Sequence, residues 1–250
     1  MSGTSNRLDL ELVSRGLCSS RAKAQALIQE GQVQVDGIPA RKANQKVWPE
    51  TNLHVDLPET EWVGRGAYKL LAALDHFKPN INGRIAADIG ASTGGFSQVL
   101  LHHNALKVYA IDVGHDQLHE SLDADVRLIN MEGINARYLT EDLVPDPLDI
   151  VVTDASFISL KKLLPAALDL CAPGAFLIAL VKPQFEVGKG NLGKGGVIRD
   201  LDQAEGVRTD MENWMNTMPG WRCLGSIVSP ITGSDGNREY LMGAICDAGS

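Results

Sequence analysis

The sequence predicts an α/β fold, in which a mostly parallel sheet is preceded by a small α+β module. From about residue 65 onward, short apolar segments alternate with helical patterns, as expected of parallel strands joined by crossover helices. A basic stretch of chain with its own helix and strand signals precedes them. We therefore predict a first domain over 1–58, a linker over 59–64 and a second domain over 65–250.

Composition favours a soluble globular protein, since 44% of the 250 residues are hydrophobic and 22% are charged. The four cysteines are far apart and form no C-x-x-C pair, so neither a zinc site nor a disulfide framework is expected. The first residues have no apolar core of a signal peptide, and the longest apolar run covers only a few residues around 176–181. We expect a cytoplasmic protein with no membrane partner and no metal.

The charge is unevenly divided along the chain. Residues 1–48 hold seven basic and four acidic side chains, a net charge of +3, whereas the whole chain carries −8. A basic module attached to an acidic domain is the candidate for phosphate contact. A solvated surface with an accidental local charge is the plain alternative.

The helices of the first domain are predicted from capping and stop residues, and its strand is predicted from the alternation of apolar and polar residues. Residues 7–16 predict a short helix that ends at a glycine, and residues 19–31 predict a second helix with a serine cap and a glycine stop. Residues 32–39 alternate like a strand and turn at Asp36-Gly37. This segment, over roughly 6–56, resembles the S4 RNA-binding fold. The resemblance implies that basic side chains of the module position the protein on RNA phosphates.

The linker is predicted from the proline and clustered acids of residues 56–61. From Ala67 onward the apolar residues have helical spacing, so Lys69 lies in the first turns of a helix.

Residues 88–97 predict a strand end that enters a glycine-rich turn and then a helix beginning near Gly94. Gly90 permits backbone geometry that a side chain would block, and such a helix start directs free N–H groups at a ligand. The spacing G-x-x-x-G-G differs from the G-x-G-x-x-G of dinucleotide-binding dehydrogenases. An acid before the first glycine and hydroxyl residues in the turn suit S-adenosylmethionine. An ordinary strand-to-helix turn is the alternative.

Four further strands are predicted over 107–112, 127–132, 148–154 and 175–182. Their functional candidates lie at the carboxyl ends, where open α/β sheets bind ligands. Asp112 follows Gly90 by 22 positions and can accept hydrogen bonds from both ribose hydroxyls of an adenosine.

Lys182 follows six apolar residues and precedes a proline, so its amine leaves a buried strand for a cleft. Burial favours the neutral form of a lysine, which a general base requires. Asp154 could orient it, Lys69 could add a positive charge, and Glu239, near a late apolar strand, could complete the network. Surface ion pairs are the alternative interpretation of these four residues.

Several motifs in the same order resemble the TlyA (haemolysin A-like) family over nearly the whole chain: D-I-G-A-S-T-G-G-F-S, D-A-S-F-I-S-L at 154–160, V-K-P-Q-F-E at 181–186 and the glycine-rich loop that ends at Asp200. The resemblance implies a Rossmann-like, FtsJ-like methyltransferase domain tethered to an S4 domain. It also implies a tetrad of Lys69, Asp154, Lys182 and Glu239 that acts on the 2′-hydroxyl of cytidine in 16S ribosomal RNA, with 23S ribosomal RNA as a second candidate.

The resemblance and the motifs together give the remaining site predictions. The predicted S-adenosylmethionine-binding residues are Asp88, Gly90, Ala91, Ser92, Thr93, Gly94, Gly95, Phe96, Asp112, Val113, Met131 and Asp154. The predicted RNA-binding residues are Arg7, Arg15, Arg21, Lys23, Arg41, Lys42, Arg65 and Lys189. The segment 185–199 could order over RNA as a lid, or remain a flexible loop. Ribosomal RNA or ribosomal subunits are the expected partners.

Two other classes of protein compete with this hypothesis. A pore-forming protein would fit the haemolysin name of the family, but the sequence offers no long apolar or cationic amphipathic segment. A non-catalytic RNA-binding protein would not need the lysines and carboxylates of the tetrad.

Overall fold

The computed structural model describes residues 4–56, 60–187, 197–198, 200–233 and 236–247. The chain divides into two compact units, Met1–Glu61 and Trp62–Ser250, and the division falls within the predicted linker 59–64.

The first unit packs two helices against short strands. Its elements are β1 (Asn6–Arg7), α1 (Leu8–Ser14), α2 (Arg21–Gln29), β2 (Val33–Val35), β3 (Ile38–Pro39), β4 (Lys46–Val47) and β5 (Leu53–Val55). The side chain of Ser20 caps α2 by accepting a hydrogen bond from the backbone N–H of Lys23. Asp36 and Gly37 both have positive φ, as a tight hairpin between β2 and β3 requires. The predicted helices and hairpin of this unit are confirmed.

The second unit is built on one seven-stranded sheet. Its strands are β6 (Ile85–Ile89), β7 (Lys107–Asp112), β8 (Leu128–Glu132), β9 (Leu148–Thr153), β10 (Cys171–Val181), β11 (Trp221–Val228) and β12 (Tyr240–Cys246). Its helices are α3 (Gly66–Phe77), α4 (Gly95–His102), α5 (Leu160–Leu163), α6 (Pro165–Leu168), α7 (Pro183–Glu186) and α8 (Leu201–Met215). The strand order is β11-β12-β10-β9-β6-β7-β8, and the five strands from β10 to β8 are parallel.

Side chains alternate between two cores, one on each face of the sheet. Ala86, Val108 and Ile150 pack with α3 and α4 on one face. Their neighbours Ala87, Tyr109 and Val151 pack with α5, α6 and α8 on the other face. A sheet buried on both faces gives the nearly continuous apolar strands that the sequence shows.

The parallel α/β class is confirmed, with local differences. The connection from β7 to β8 contains only a single 3₁₀ turn at Glu120–Leu122, and the one from β8 to β9 contains only Ala136–Tyr138. We also did not predict β11, which pairs antiparallel with β12 at the sheet edge. In the part of the chain that the structure describes, no helix has both the length and the apolar character needed to span a bilayer.

Candidate active site

The predicted tetrad meets in a cavity of about 410 Å³ at the carboxyl edge of the sheet, a size typical of ligand pockets. Gly90, Asp154 and Lys182 directly follow the ends of β6, β9 and β10. Because β12 runs antiparallel to β10, Glu239, just before β12, reaches the same edge. The cavity is lined by Gly64, Arg65, Gly66, Lys69, Asp88, Gly90, Ala91, Ser92, Thr93, Gly95, Phe96, Asp154, Ser156, Phe157, Lys182, Gln184, Phe185, Ile231, Thr232, Gly233 and Glu239.

The four charged side chains form one connected network. The Lys69 Nζ atom lies 2.8 Å from Glu239 Oε2 and 3.4 Å from Asp154 Oδ2. The Lys182 Nζ atom lies 2.6 Å from Asp154 Oδ1. Both lysines and Glu239 are buried, and Asp154 is half-buried. Two positive and two negative charges therefore compensate one another where water is largely excluded, unlike surface ion pairs.

The amine of Lys182 has two hydrogen-bond acceptors and one ion-pair partner. It donates to the backbone carbonyl of Asp154 over 2.9 Å and to Ser156 Oγ over 2.7 Å. Asp154 Oδ1 lies 2.6 Å away as the ion-pair partner and accepts no hydrogen bond from any described residue. Ser156 is the exposed member of the set, and hence the partner that a ligand hydroxyl can replace.

Asp88 is a buried carboxyl group at the other end of the cavity. Its Oδ2 atom accepts hydrogen bonds from the backbone N–H and the hydroxyl of Ser97, at 2.8 and 2.7 Å. Its Oδ1 atom has no hydrogen-bond partner among the described residues. Burial raises the pKa of Asp88 to about 7, opposed by the Ser97 hydrogen bonds, and the charges of Asp154 and Asp112 add to the rise.

Gly90 and Gly94 of the glycine-rich turn are explained by the backbone and packing of the protein, without reference to a ligand. Gly90 has φ +77°, and a Cβ atom there would lie 2.9 Å from the Cα atom of Ala155. Gly94 has φ +88°, and a Cβ atom would lie 2.4 Å from a methyl group of Leu122. The expected left-handed geometry is present at Gly90, and the same backbone conformation accounts for the glycine at position 94.

Four predicted cofactor residues, Gly94, Asp112, Val113 and Met131, do not line this cavity. Asp112 uses its carboxylate to fix nearby backbone, accepting from the N–H groups of Ser92 and Gly114, each at 2.8 Å. Each carboxylate oxygen has a second acceptor position. Asp112 therefore anchors the glycine-rich turn and retains acceptor capacity.

In the first unit, several predicted RNA-binding side chains have protein partners. Arg7 and Arg21 both bind the buried carboxylate of Asp9, whose pKa is lowered chiefly by the hydrogen bond from Arg7. Lys23 pairs with Glu61. Arg41 and Lys42, in contrast, are exposed and make no ion pair with any residue that the structure describes.

Arg15 differs most from its predicted role. Its guanidinium donates to Glu11 and to the backbone carbonyls of Trp48, Pro49 and Thr51, at 2.7 to 3.0 Å. Four of its five N–H groups are engaged, which leaves little capacity for a phosphate. Its structural task is to hold the turn after β4.

Arg65 lines the cavity, at the start of α3. Lys189, and with it most of the predicted lid, lies outside the described residues.

Three features of the cavity wall were not predicted from the sequence. Ser156, Gln184 and the pair Phe157–Phe185, with ring centroids 5.1 Å apart, belong to motifs that we used only as marks of resemblance. Phe157 is 90% exposed and has φ +66°, an unusual conformation for a bulky residue and one that concentrates at functional sites. A polar or aromatic residue within three positions of a tetrad member was the available signal.

Within the described ranges, no group of three or more His, Cys, Asp or Glu side chains could hold a metal ion.

The parallel sheet, the glycine-rich turn and the charged cavity define a Rossmann-like methyltransferase domain. A model of FtsJ-like methyltransferases matches residues 62–245, and an S4 domain model matches residues 6–52. The chain belongs to the FtsJ-like methyltransferase family and carries an N-terminal S4 domain.

Curated relatives match over almost the whole chain. The 16S/23S rRNA (cytidine-2′-O)-methyltransferase TlyA of Mycobacterium tuberculosis is 45% identical over 94% of this chain and 88% of its own length. Hemolysin A of Brachyspira hyodysenteriae is 37% identical over 94% of this chain and 98% of its own. A solved structure from Streptococcus thermophilus that carries a hemolysin name has 34% identity and a TM-score of 0.72, covering 97% of this chain and 89% of that one.

Proposed function

We propose that this protein transfers a methyl group from S-adenosylmethionine to the 2′-hydroxyl of a cytidine in ribosomal RNA. We take 16S RNA as the first candidate, 23S RNA as the second, and the cytoplasm as the compartment. The observation that carries the proposal is the Lys182 amine, held in a ligand-sized cavity by Asp154 and by the replaceable hydroxyl of Ser156. The 45% identity with a relative named for this reaction supports the same substrate.

The residues at the glycine-rich end of the cavity fit S-adenosylmethionine. Asp88 offers a buried oxygen with no hydrogen-bond partner among the described residues, which suits the hydrogen-bond donors of the amino acid part or the ribose. The first residues of α4, Gly95 and Phe96, line the same end, where a helix start attracts a carboxylate. When bound, S-adenosylmethionine supplies an electrophilic methyl group on a positively charged sulfur.

Lys182 acts at the acceptor oxygen. In its neutral form the amine keeps two N–H bonds, one of which can still donate to the backbone carbonyl of Asp154, and its lone pair can face the ribose hydroxyl in the position that Ser156 vacates. Lys182 takes the hydroxyl proton as the O–C bond forms and the C–S bond breaks. Lys182 holds the proton on Nζ until solvent removes it, and the electron pair of the broken C–S bond remains on sulfur.

The other members of the tetrad position Lys182. Asp154 holds the amine by its side chain and its backbone carbonyl, and Lys69 joins Asp154 to Glu239. The ammonium of Lys69 also offsets the negative charge that develops on the ribose oxygen. We attribute most of the rate to alignment of the two reactants beside the buried side chains of the tetrad.

The S4 domain supplies contacts to the RNA backbone. Arg41 and Lys42 are the best candidates in that unit, because both are exposed and lack ion-pair partners within the described ranges. Such contacts set the orientation of the protein and make binding salt-dependent.

The test is transfer of labelled methyl groups to ribosomal subunits by wild type, Lys182→Ala and the control Lys162→Ala, an exposed lysine of α5. We expect Lys182→Ala to lose at least about a hundredfold in single-turnover rate, because a general base contributes that much. Its affinity for S-adenosylmethionine in calorimetry and the rate of Lys162→Ala should stay near wild type. A Lys182→Ala enzyme of wild-type rate would end the assignment of the base.

A further inference from the structure

Gln184 is a buried polar side chain that the mechanism above does not use. It is 8% exposed and lines the cavity, and its Oε1 atom has no hydrogen-bond partner among the residues that the structure describes. An amide oxygen left unpaired in this way costs about 1–3 kcal/mol. Such a group at a ligand cavity is explained when the ligand supplies the missing donor.

The position of Gln184 is fixed relative to Lys182. The two residues are separated only by Pro183, at the start of α7, whose first turn closes with a hydrogen bond from Phe185 N–H to the carbonyl of Lys182. At the end of α7, Glu186 accepts from Ser159 Oγ over 2.5 Å and from Leu160 N–H over 2.8 Å. Since α7 is tied at both ends, the backbone of Gln184 is fixed close to that of Lys182 before any ligand arrives.

Strand order assigns Gln184 to the acceptor end of the cavity. The glycine-rich turn and Asp88 belong to β6, whereas Gln184 follows β10, two strands away in the sheet. Phe157, Phe185 and Ile231 line the same cavity as Gln184, and the rings of Phe157 and Phe185 lie 5.1 Å apart. A flat, partly polar ligand such as a nucleobase suits these aromatic side chains. In strand order, Asp154, after β9, lies between Gln184 and the glycine-rich turn after β6.

We infer that Gln184 binds the base of the target nucleotide, with its Oε1 atom accepting a hydrogen bond from the 4-amino group of cytosine. This inference rests on the proposed function. Cytosine presents an amino donor next to the acceptor N3, and a carboxamide presents the complementary oxygen and N–H₂. Uracil presents the opposite order, an acceptor at position 4 and a donor at N3. In the orientation that places Oε1 toward the 4-amino group, Gln184 therefore distinguishes cytidine from uridine.

The experiment is a cycle that changes the protein and the RNA separately and together. The variant is Gln184→Met, which keeps the length of the side chain and removes its polar atoms. The RNA change replaces the mapped target cytidine with uridine in subunits from cells that lack the enzyme. Thr209→Met, on an exposed position of α8, controls for the introduced methionine.

For wild type we expect the uridine substitution to lower kcat/KM for methyl transfer about 5- to 150-fold, the range of one good base contact. On the cytidine substrate, kcat/KM of Gln184→Met should be lower than that of wild type by a similar factor. For this variant, replacing cytidine with uridine should lower kcat/KM by less than about threefold. An equal uridine penalty in both proteins would overturn the inference, as would weaker binding of S-adenosylmethionine by Gln184→Met in calorimetry. Failure of wild type to methylate either subunit would instead refute the proposed function, and the inference with it.

Discussion

The buried carboxyl group of Asp88 makes a specific prediction about stability and pH. The folded protein holds this proton up to about pH 7, whereas the ordinary pKa is 3.8. The folded state therefore binds more protons than the unfolded chain between these values. The contribution to the free energy of unfolding is fully present below pH 3.8 and is lost as the pH rises through about 7.

The size of the effect follows from the two pKa values. A separation of about 3 pH units corresponds to about 4 kcal/mol, of which about 3 kcal/mol falls between about pH 5 and pH 8. The Asp88→Asn variant removes the titration, while its amide oxygen can still accept both hydrogen bonds from Ser97. As the pH rises from about 5 to about 8, the free energy of unfolding of Asp88→Asn should therefore increase by about 3 kcal/mol relative to that of wild type.

Urea unfolding of the full chain at about pH 5, 6, 7 and 8 measures this difference, with the transition of the methyltransferase unit followed in both proteins. The contributions of the other titrating groups cancel in the difference between the two unfolding free energies, because both proteins contain these groups. A difference in unfolding free energy that stays constant from about pH 5 to pH 8 would refute the reasoning, since it would mean that Asp88 is ionised throughout.

Two further predictions concern the tetrad and the S4 domain. Glu239 is 3% exposed and pairs with Lys69 at 2.8 Å, so Glu239→Leu should destabilise the protein by about 3 kcal/mol, and adding Lys69→Met should recover part of that loss. A double variant as unstable in urea as Glu239→Leu alone would contradict this. Arg41→Glu should weaken binding to ribosomal subunits and reduce its dependence on salt, whereas Arg15→Gln should chiefly lower the stability of the first unit, by about 1–3 kcal/mol. Titrations at several salt concentrations together with urea unfolding separate the two effects, and an equal loss of affinity without destabilisation would show that Arg15 contacts RNA.

The elements predicted best were those with local signals. Ser20 caps α2, Gly37 turns the hairpin, and Gly90 ends β6, because each depends on backbone geometry set by one or two residues. The edge strand β11 was not predicted, because it is stabilised by its long-range pairing with β12, which no short sequence pattern encodes.

For the site, the predicted strand ends were enough to predict that Lys182 and Asp154 lie close together, because parallel strands place their carboxyl ends at one edge of the sheet. The charge of Arg15 suggested an RNA contact, but the sequence could not show that the backbone carbonyl groups of a distant turn would bind its guanidinium. Likewise, Gln184 became a candidate only when its burial and missing partner were visible.

The most direct test of the central claim is a map of 2′-O-methylcytidine in ribosomal RNA from cells with and without this protein. We expect the modification at a defined cytidine to disappear when the protein is absent. It should return with the wild-type chain but not with Lys182→Ala. An identical map in all of these cells would contradict the assignment of this chain as a ribosomal RNA methyltransferase.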